Sequence, residues 1–456
     1  MRVRKGIDIV CIGLIAISSM LLLFLFNYCD CHSLTTWSFD FWDCLFNGKL
    51  LSYHEYLNEN VRMAYHGSSL GSFSWLMIFP LIIWNLPAWL ANILFIHNQV
   101  LEPGFMVWTK IGLLLCAMIV IVVIYKVSEE MTLSEVNILM LGSVEVVISV
   151  IYFGQDEIVY LALFFVGLYY LKKENYRLFY VWSFVSCVLC PIMILPLFLC
   201  VCTYEKRVWI ILAETIAPLL PSVLYSMIYK SHGYVTTSPL VWVEDIFWGL
   251  YVDTAMNALS VVGVLCVLIC GYGYFRVDLR QNEFEDEYSR CITLLALLMT
   301  TVFVFGNHQT YRRFLCLPFI LLMIGLEKEK TKREVMELLL MMAEGIRAFY
   351  IISNATSIMS TEWLWDNALT KLIAPNGFAT ATDLYSWLIQ WNEHIKGLFI
   401  LFNPVVIGCL LLLYYVRVTK KQTELKWTYG KELLKVLYSC EMFVVIVMFA
   451  VLLQQH

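Results

Sequence analysis

Ile148-Ser149-Val150-Ile151-Tyr152-Phe153-Gly154-Gln155-Asp156-Glu157-Ile158-Val159-Tyr160-Leu161-Ala162-Leu163-Phe164-Phe165 is an apolar run cut once, by a glycine, an amide and two carboxylates. On either side the side chains are almost continuously apolar, without the alternation of a half-buried strand, so each flank reads as a helix surrounded by lipid or protein. Carboxylates between two such helices are costly to leave idle at a membrane boundary. The break at 154–157 is therefore where chemistry is expected.

Moving outward from the break, the rest of the chain repeats the pattern. Of its 456 residues 60% are hydrophobic and 15% charged, and many runs approach the roughly 20 apolar residues that cross a bilayer. The expectation is an all-α, polytopic transmembrane helical bundle of the cell membrane. About eleven full spans are expected, near 7–26, 105–125, 134–152, 157–171, 208–229, 255–275, 290–305, 311–326, 334–354, 395–416 and 434–453, plus short re-entrant or paired helices. The polar stretches are too short to bury a core of their own, which excludes a separate soluble domain. Arg2, Arg4 and Lys5 precede the first apolar run, which reads as an uncleaved span. A net charge of -5 with scattered basic residues excludes a nucleic-acid partner.

Charge then orients the spans. If the first span enters from the cytoplasm, the positive-inside rule holds only when about 70–96 and 178–202 each cross twice as short helices, or dip in and return. Pro80, Asn85 and Pro87 interrupt the first stretch, and Pro191 and Pro196 the second. On that assumption 21 of the 31 Lys and Arg fall inside and only six outside. The outer loops are then about 27–68, 153–156, 230–254, 306–311 and 355–393, and one face gathers the carboxylates and aromatics.

The first outer loop carries Trp37-Ser38-Phe39-Asp40-Phe41-Trp42-Asp43-Cys44. Alternating aromatics and acids suggest a short helix along the membrane surface, acids toward water. Asp40, partly desolvated there, suits a general base toward an acceptor hydroxyl, with Asp43 as a substrate contact. An interfacial anchor is the plainer reading of the same residues. A bridge from Cys44 to Cys29 or Cys31 is open.

The order of pieces resembles the GT-C class of integral-membrane glycosyltransferases. Those pieces are Ser38-Phe39-Asp40-Phe41-Trp42 in the first loop, Phe153-Gly154-Gln155-Asp156 between two spans, Cys190-Pro191…Leu195-Pro196, and His308-Gln309-Thr310-Tyr311-Arg312-Arg313 before Leu317-Pro318. The resemblance covers 1–330 as a catalytic transmembrane module, and leaves 331–456, with its outer loop 355–393, as a divergent carboxy-terminal region. Tyr65-His66-Gly67-Ser68 stands where many members carry Tyr-Pro-Pro. What the resemblance implies is a polyprenyl-phosphate-linked sugar donor, a glycan, lipid or protein acceptor at the outer face, Asp40 as the catalytic first-loop aspartate, and His308, Arg312 and Arg313 near the carrier phosphate.

The chemistry suits these residue types in its own right. Moving a glycosyl group off phosphate needs a base for the acceptor proton and cations for the leaving phosphate. Arg312 and Arg313 fit the second task through their planar, permanently charged forks, and are unusual as an outer basic pair. Gln155, Asp156 and Glu157 are expected to contact substrate, or Asp156 to cap the following helix. No cofactor is required. Carboxylates on separate loops suit Mg or Mn, without diagnostic spacing, and no metal ligands are assigned. Glu344 and Arg347 are spaced as a helix ion pair, Glu145 reads as an isolated acid near the break, and Trp363, Trp365, Trp387 and Trp391 suit an acceptor platform. Two other classes fit the same sequence: a lipid or saccharide flippase or transporter using Glu145, Glu214 and Arg347, and a polysaccharide polymerase.

Overall fold

The structure, a computed structural model, describes residues 2–25, 29–59, 74–96, 103–128, 130–232, 251–253, 258–275, 286–305, 310–356, 404–419, 431–441 and 443–444. In chain order the helices are α1 (Arg2–Leu25), α2 (Cys29–Phe46), α3 (Tyr53–Glu59), α4 (Phe79–Ala91), α5 (Pro103–Val127), α6 (Leu133–Leu141), α7 (Val144–Val147), α8 (Glu157–Lys172), α9 (Tyr176–Leu189), α10 (Ile194–Tyr204), α11 (Val208–Ile216), α12 (Leu220–Tyr229), α13 (Val261–Phe275), α14 (Glu287–Phe305), α15 (Leu317–Gly325) and α16 (Lys330–Thr356). Two further helices, α17 (Pro404–Val418) and α18 (431–441), follow. Among the described residues the fold is helical as expected, with one antiparallel strand pair, Tyr251–Asp253 against Ala258–Ser260.

Five described helices are long and apolar enough to cross a membrane: Gly6–Phe24, Phe79–Ile96, Gly104–Val127, Val208–His232 and Glu287–Phe305. A sixth results if Leu133–Leu141 and Val144–Phe153, bent by 70°, act as one. Several expected spans are shorter. α8 has 16 residues, α13 has 15 and α15 has 9, or about 24, 22 and 14 Å of axis against a hydrocarbon core of about 30 Å.

The two proline-bearing stretches differ. Residues 178–202 do split, at Cys190-Pro191, into the short helices α9 and α10. Residues 79–96 instead form one continuous helix, ending in a π turn at Asn92–Ile96. Pro80 falls in its first turn, where a missing N–H costs nothing, and Asn85 bonds to neighbouring helices instead of breaking its own. One helix in place of two changes the parity of crossings on which the basic-inside orientation rests.

By internal contacts the chain forms two compact units interleaved in sequence: residues 1–28, 124–153 and 321–456 make unit 1, and 29–123 and 154–320 make unit 2. Residues 1–28 and 124–153 thus group with residues 321–456.

Unit 2 is built on α8 against α9. Gly167 permits their close approach, since a Cβ there would stand 2.9 Å from Ser183 Oγ. α2 packs on α4 and α5 through a buried polar ladder. Thr35 Oγ1 lies 2.8 Å from Thr109 Oγ1, Thr109 donates to Asn85 Oδ1 at 3.0 Å, and Asn85 Nδ2 donates to Ser38 Oγ at 3.2 Å. Alongside it Trp84 and Trp108 stack at 4.6 Å, and each indole N–H donates to the other residue's backbone carbonyl, at 2.8 and 2.9 Å.

Unit 1 packs α1 against α6 around Cys11, Ile15 and Ile138. A reciprocal cap starts α6: Thr132 accepts from the Glu135 N–H while the Glu135 carboxylate accepts from the Thr132 N–H. Tyr438 of α18 donates its hydroxyl to the Leu139 carbonyl at 3.0 Å.

Candidate functional site

The break at 154–157 belongs to unit 2, and its glycine is required. Gly154 has φ +72, and a Cβ there would fall 2.7 Å from the Cys31 Cβ. The chain thus turns hard against the first turn of α2 and delivers the next side chain to it. Buried Gln155 donates from Nε2 to Asp30 Oδ2 at 2.6 Å. The Cys31 thiol donates to the Met106 carbonyl at 3.6 Å. Lys110, fully buried one turn beyond Met106 on α5, has the Cys31 sulfur as an electrostatic neighbour.

Asp156 precedes α8, yet its side chain makes no capping hydrogen bond. Its Oδ2 instead accepts from the hydroxyl of Tyr160, one turn along α8, and Ser186 of α9 anchors that turn by donating to the Tyr160 carbonyl at 2.7 Å. Glu157, only 7% exposed, pairs through Oε1 with Arg312 Nε at 2.8 Å. Its Oε2 is buried and accepts no hydrogen bond among the described residues. Arg312 and Arg313 lie on a 3-10 turn, Thr310–Leu315, that leads into α15, and both are half-buried.

This arrangement divides the two adjacent acids. Glu157 is committed to a guanidinium, whereas Asp156 keeps partial access to solvent. Burial first, and then the Glu157 charge, push the Asp156 carboxyl up from the ordinary Asp range; the Tyr160 hydroxyl and Arg312 oppose that rise. The like charge of Glu157 beside Asp156 is one that a proton or a hydroxyl donor would relieve.

Asp40 stands in a different setting. It lies ten residues beyond Asp30 on α2, about 15 Å further along the axis. The acid expected to face water is fully buried. Burial first, and then the nearby Asp40 carboxylate, disfavours ionisation of both Tyr53 and Cys44. Around it α2, α3, α12 and Trp75 interlock: Tyr53 donates to the Trp37 carbonyl at 3.3 Å, His54 Nε2 lies 2.6 Å from the Tyr225 hydroxyl, and Trp75 donates to the hydroxyls of Tyr225 and Tyr229 at 3.3 and 3.2 Å. Burial pushes His54 down to about 4, so it is neutral at pH 7. Asp43 accepts from Trp89 Nε1 at 2.8 Å. Helix α2 thus turns Asp40 inward, because its aromatic neighbours pack against α4 and α5 instead of lying on a surface. It also keeps Cys44 from the bridge to Cys31 that the sequence leaves open, since thirteen residues of helix hold the two about 20 Å apart and both thiols are free.

Unit 1 carries a second set of buried charges. Arg347 pairs with Glu344 at 2.9 Å, as the spacing predicts, and also with Glu145 at 2.5 Å, so Glu145 is not the isolated acid expected. Ser143 donates to the other oxygen of Glu344 at 2.9 Å. Lys431 pairs with Glu337, Arg417 with Glu327 at 2.7 Å and Lys435 with Asp8 at 3.4 Å.

Of the site residues read from sequence, described contacts join Asp156, Glu157 and Arg312, with Gln155 beside them; Asp40 and Asp43 lie further along α2, and Arg313 follows Arg312 on its turn. His308 and the tryptophans of 355–393 lie outside the described residues. Asp30, Tyr160 and Lys110 were missed. Tyr160 had a signal in its four-residue spacing from Asp156, and Lys110 in being a charge within an apolar span. Among the described residues no three His, Cys, Asp or Glu side chains stand together as a metal site. No family model, curated protein or solved structure matches the chain.

Proposed function

We propose that this chain is a GT-C-like, multi-pass cell-membrane glycosyltransferase that moves a sugar from a polyprenyl-phosphate carrier to a glycan, lipid or protein acceptor at the outer face. The observation that carries the reading is the pairing of Arg312, from the turn before Pro318, with Glu157 of the 154–157 break at 2.8 Å, beside Asp156. Cations and carboxylates from distant parts of the sequence converge beside a tight backbone turn. Such a site can neutralise a departing phosphate and receive a proton within one small volume.

In this reading Arg312 and Arg313 take the carrier phosphate, with His308 nearby, and Gln155, fixed by Asp30, shapes the donor pocket. The sugar's anomeric carbon exchanges its bond to phosphate oxygen for one to the acceptor oxygen, with inversion. A divalent cation, if used, would assist the phosphate at the same carboxylates.

The test is turnover by purified protein in nanodiscs, supplied with polyprenyl-phosphate-linked hexoses and a membrane-glycan extract. Release of polyprenyl phosphate is expected, with Arg312→Ala reducing kcat on the order of a hundredfold or more, as loss of a charge-stabilising donor does. No release from any donor would overturn the reading. A carrier function is the second reading, favoured by the buried Glu145–Arg347–Glu344 group in unit 1. Its signature would be transfer of a labelled lipid-linked sugar between leaflets, without cleavage.

A further inference from the structure

Resting on the glycosyltransferase reading, we propose that Asp156, and not Asp40, takes the proton from the acceptor hydroxyl. The two acids compete for one role, and the structure separates them on access. Asp40 is fully enclosed by the packing of α2, close to the Tyr53 and Cys44 side chains. An acceptor reaching it would have to displace that interlocked aromatic group. Asp156 is only half-buried, and has as an electrostatic neighbour the Arg312 that the leaving phosphate requires.

The neighbours of Asp156 suit a base. From α8, Tyr160 donates to Oδ2 and so fixes the carboxylate plane; Glu157 supplies a like charge that strengthens its basicity. From the 310–315 turn, Arg312 holds Glu157. From the end of α9, the Cys190 thiol lies close enough to feel both acids, and burial keeps that thiol protonated. A second observation points to a ligand: Glu157 Oε2, on a residue more than nine-tenths buried, has no hydrogen-bond donor among the described residues. A hydroxyl-bearing acceptor seated between the two carboxylates offers that donor, which places its reacting O–H against Asp156.

The step balances without a further reactant. The acceptor oxygen forms its bond to the anomeric carbon as its proton passes to Asp156. The bond between that carbon and the phosphate oxygen breaks, and its electron pair stays on polyprenyl phosphate, beside the Arg312 and Arg313 guanidinium groups. The proton on Asp156 then leaves to water.

The experiment compares full-length wild type, Asp156→Asn, Asp156→Glu and Asp40→Asn in nanodiscs, using a polyprenyl-phosphate-linked hexose shown to be cleaved by wild type. Size-exclusion profile and melting temperature report folding. Asp156→Asn is expected to lower kcat by roughly 10²–10⁴-fold with KM within a few-fold, and Asp156→Glu to restore part of the rate with a displaced ascending limb of the pH profile. Asp40→Asn is expected to lower the melting temperature and leave that limb in place. Folded Asp156→Asn with wild-type kcat, or an ascending limb that moves in Asp40→Asn and not in Asp156→Glu, overturns the assignment. Wild type that cleaves no donor overturns the glycosyltransferase reading itself, a result distinct from either variant outcome.

Discussion

The two compact units bury polar groups in opposite styles. Unit 1 buries whole charges and closes them in pairs: Arg347 between Glu145 and Glu344, Lys431 on Glu337, Arg417 on Glu327. Unit 2 lines its α2–α4–α5 interior with a ladder of hydroxyls and an amide, buries Asp40 and Lys110 on the same helices, and sets Asp156 at a glycine turn where it stays half-buried. A closed pair holds helices in place and has nothing left to offer a ligand. An open acid beside a held one can exchange protons. On the proposed transferase reading the chemistry belongs to unit 2, whereas the proposed carrier reading would draw on unit 1.

The hardest test of the contrast is Arg347→Leu. It leaves Glu145 and Glu344 buried without their cation, and a loss of about 3–5 kcal/mol is expected, read as a fallen melting temperature or aggregation on size exclusion. Adding Glu145→Gln and Glu344→Gln should recover most of it; if the triple variant is no better, the charges are not acting as a closed set. Asn85→Ala in unit 2 should cost less, about 1–3 kcal/mol, because it orphans neutral hydroxyl partners instead of ions.

Gly154→Ala comes next. A left-handed φ costs a non-glycine residue about 1–2 kcal/mol, and the new methyl meets Cys31. Cys31→Gly in the same chain should relieve the contact with Cβ but not those with the Cys31 backbone or the backbone term, so only part of the melting temperature should return. Full recovery would show that the turn itself is unstrained.

The smallest effects concern Asp156. Tyr160→Phe removes a donor to the ionised carboxylate, so the ascending limb of the pH profile should move to higher pH, by less than about one unit. Folding linkage has a matching sign. The folded-state pKa of Asp156 is raised, so its contribution to stability is greatest below the ordinary carboxylate range and is lost as pH climbs through the raised value. Asp156→Asn should flatten that part of the melting-temperature curve.

Much of this was legible in the sequence because it was local. Gly154 announced a turn between two apolar runs, Cys190-Pro191 a helix division, and Glu344 with Arg347 a pair one helical turn apart. The basic pair expected at the outer side singled out Arg312, and it does meet Glu157. What stayed hidden depends on packing between distant segments. Asp40 looked like a surface acid because its burial is imposed by α4, α5 and the Tyr225 side of α12, none of which its own neighbours encode. Glu145 looked solitary because Arg347 comes from a helix far along the chain. Pro80 and Pro87 suggested a broken crossing, yet one sits in a first turn and the other inside a helix that runs on to Ile96.

The reciprocal bonding of Trp84 and Trp108 has a practical bearing on all of these measurements. With both indole N–H groups spent on backbone carbonyls and the rings stacked on each other, this pair should exchange its indole protons slowly and be poorly reached by aqueous quenchers. Among the 15 tryptophans, these two would then report separation of α4 from α5, and stay silent when an acceptor docks.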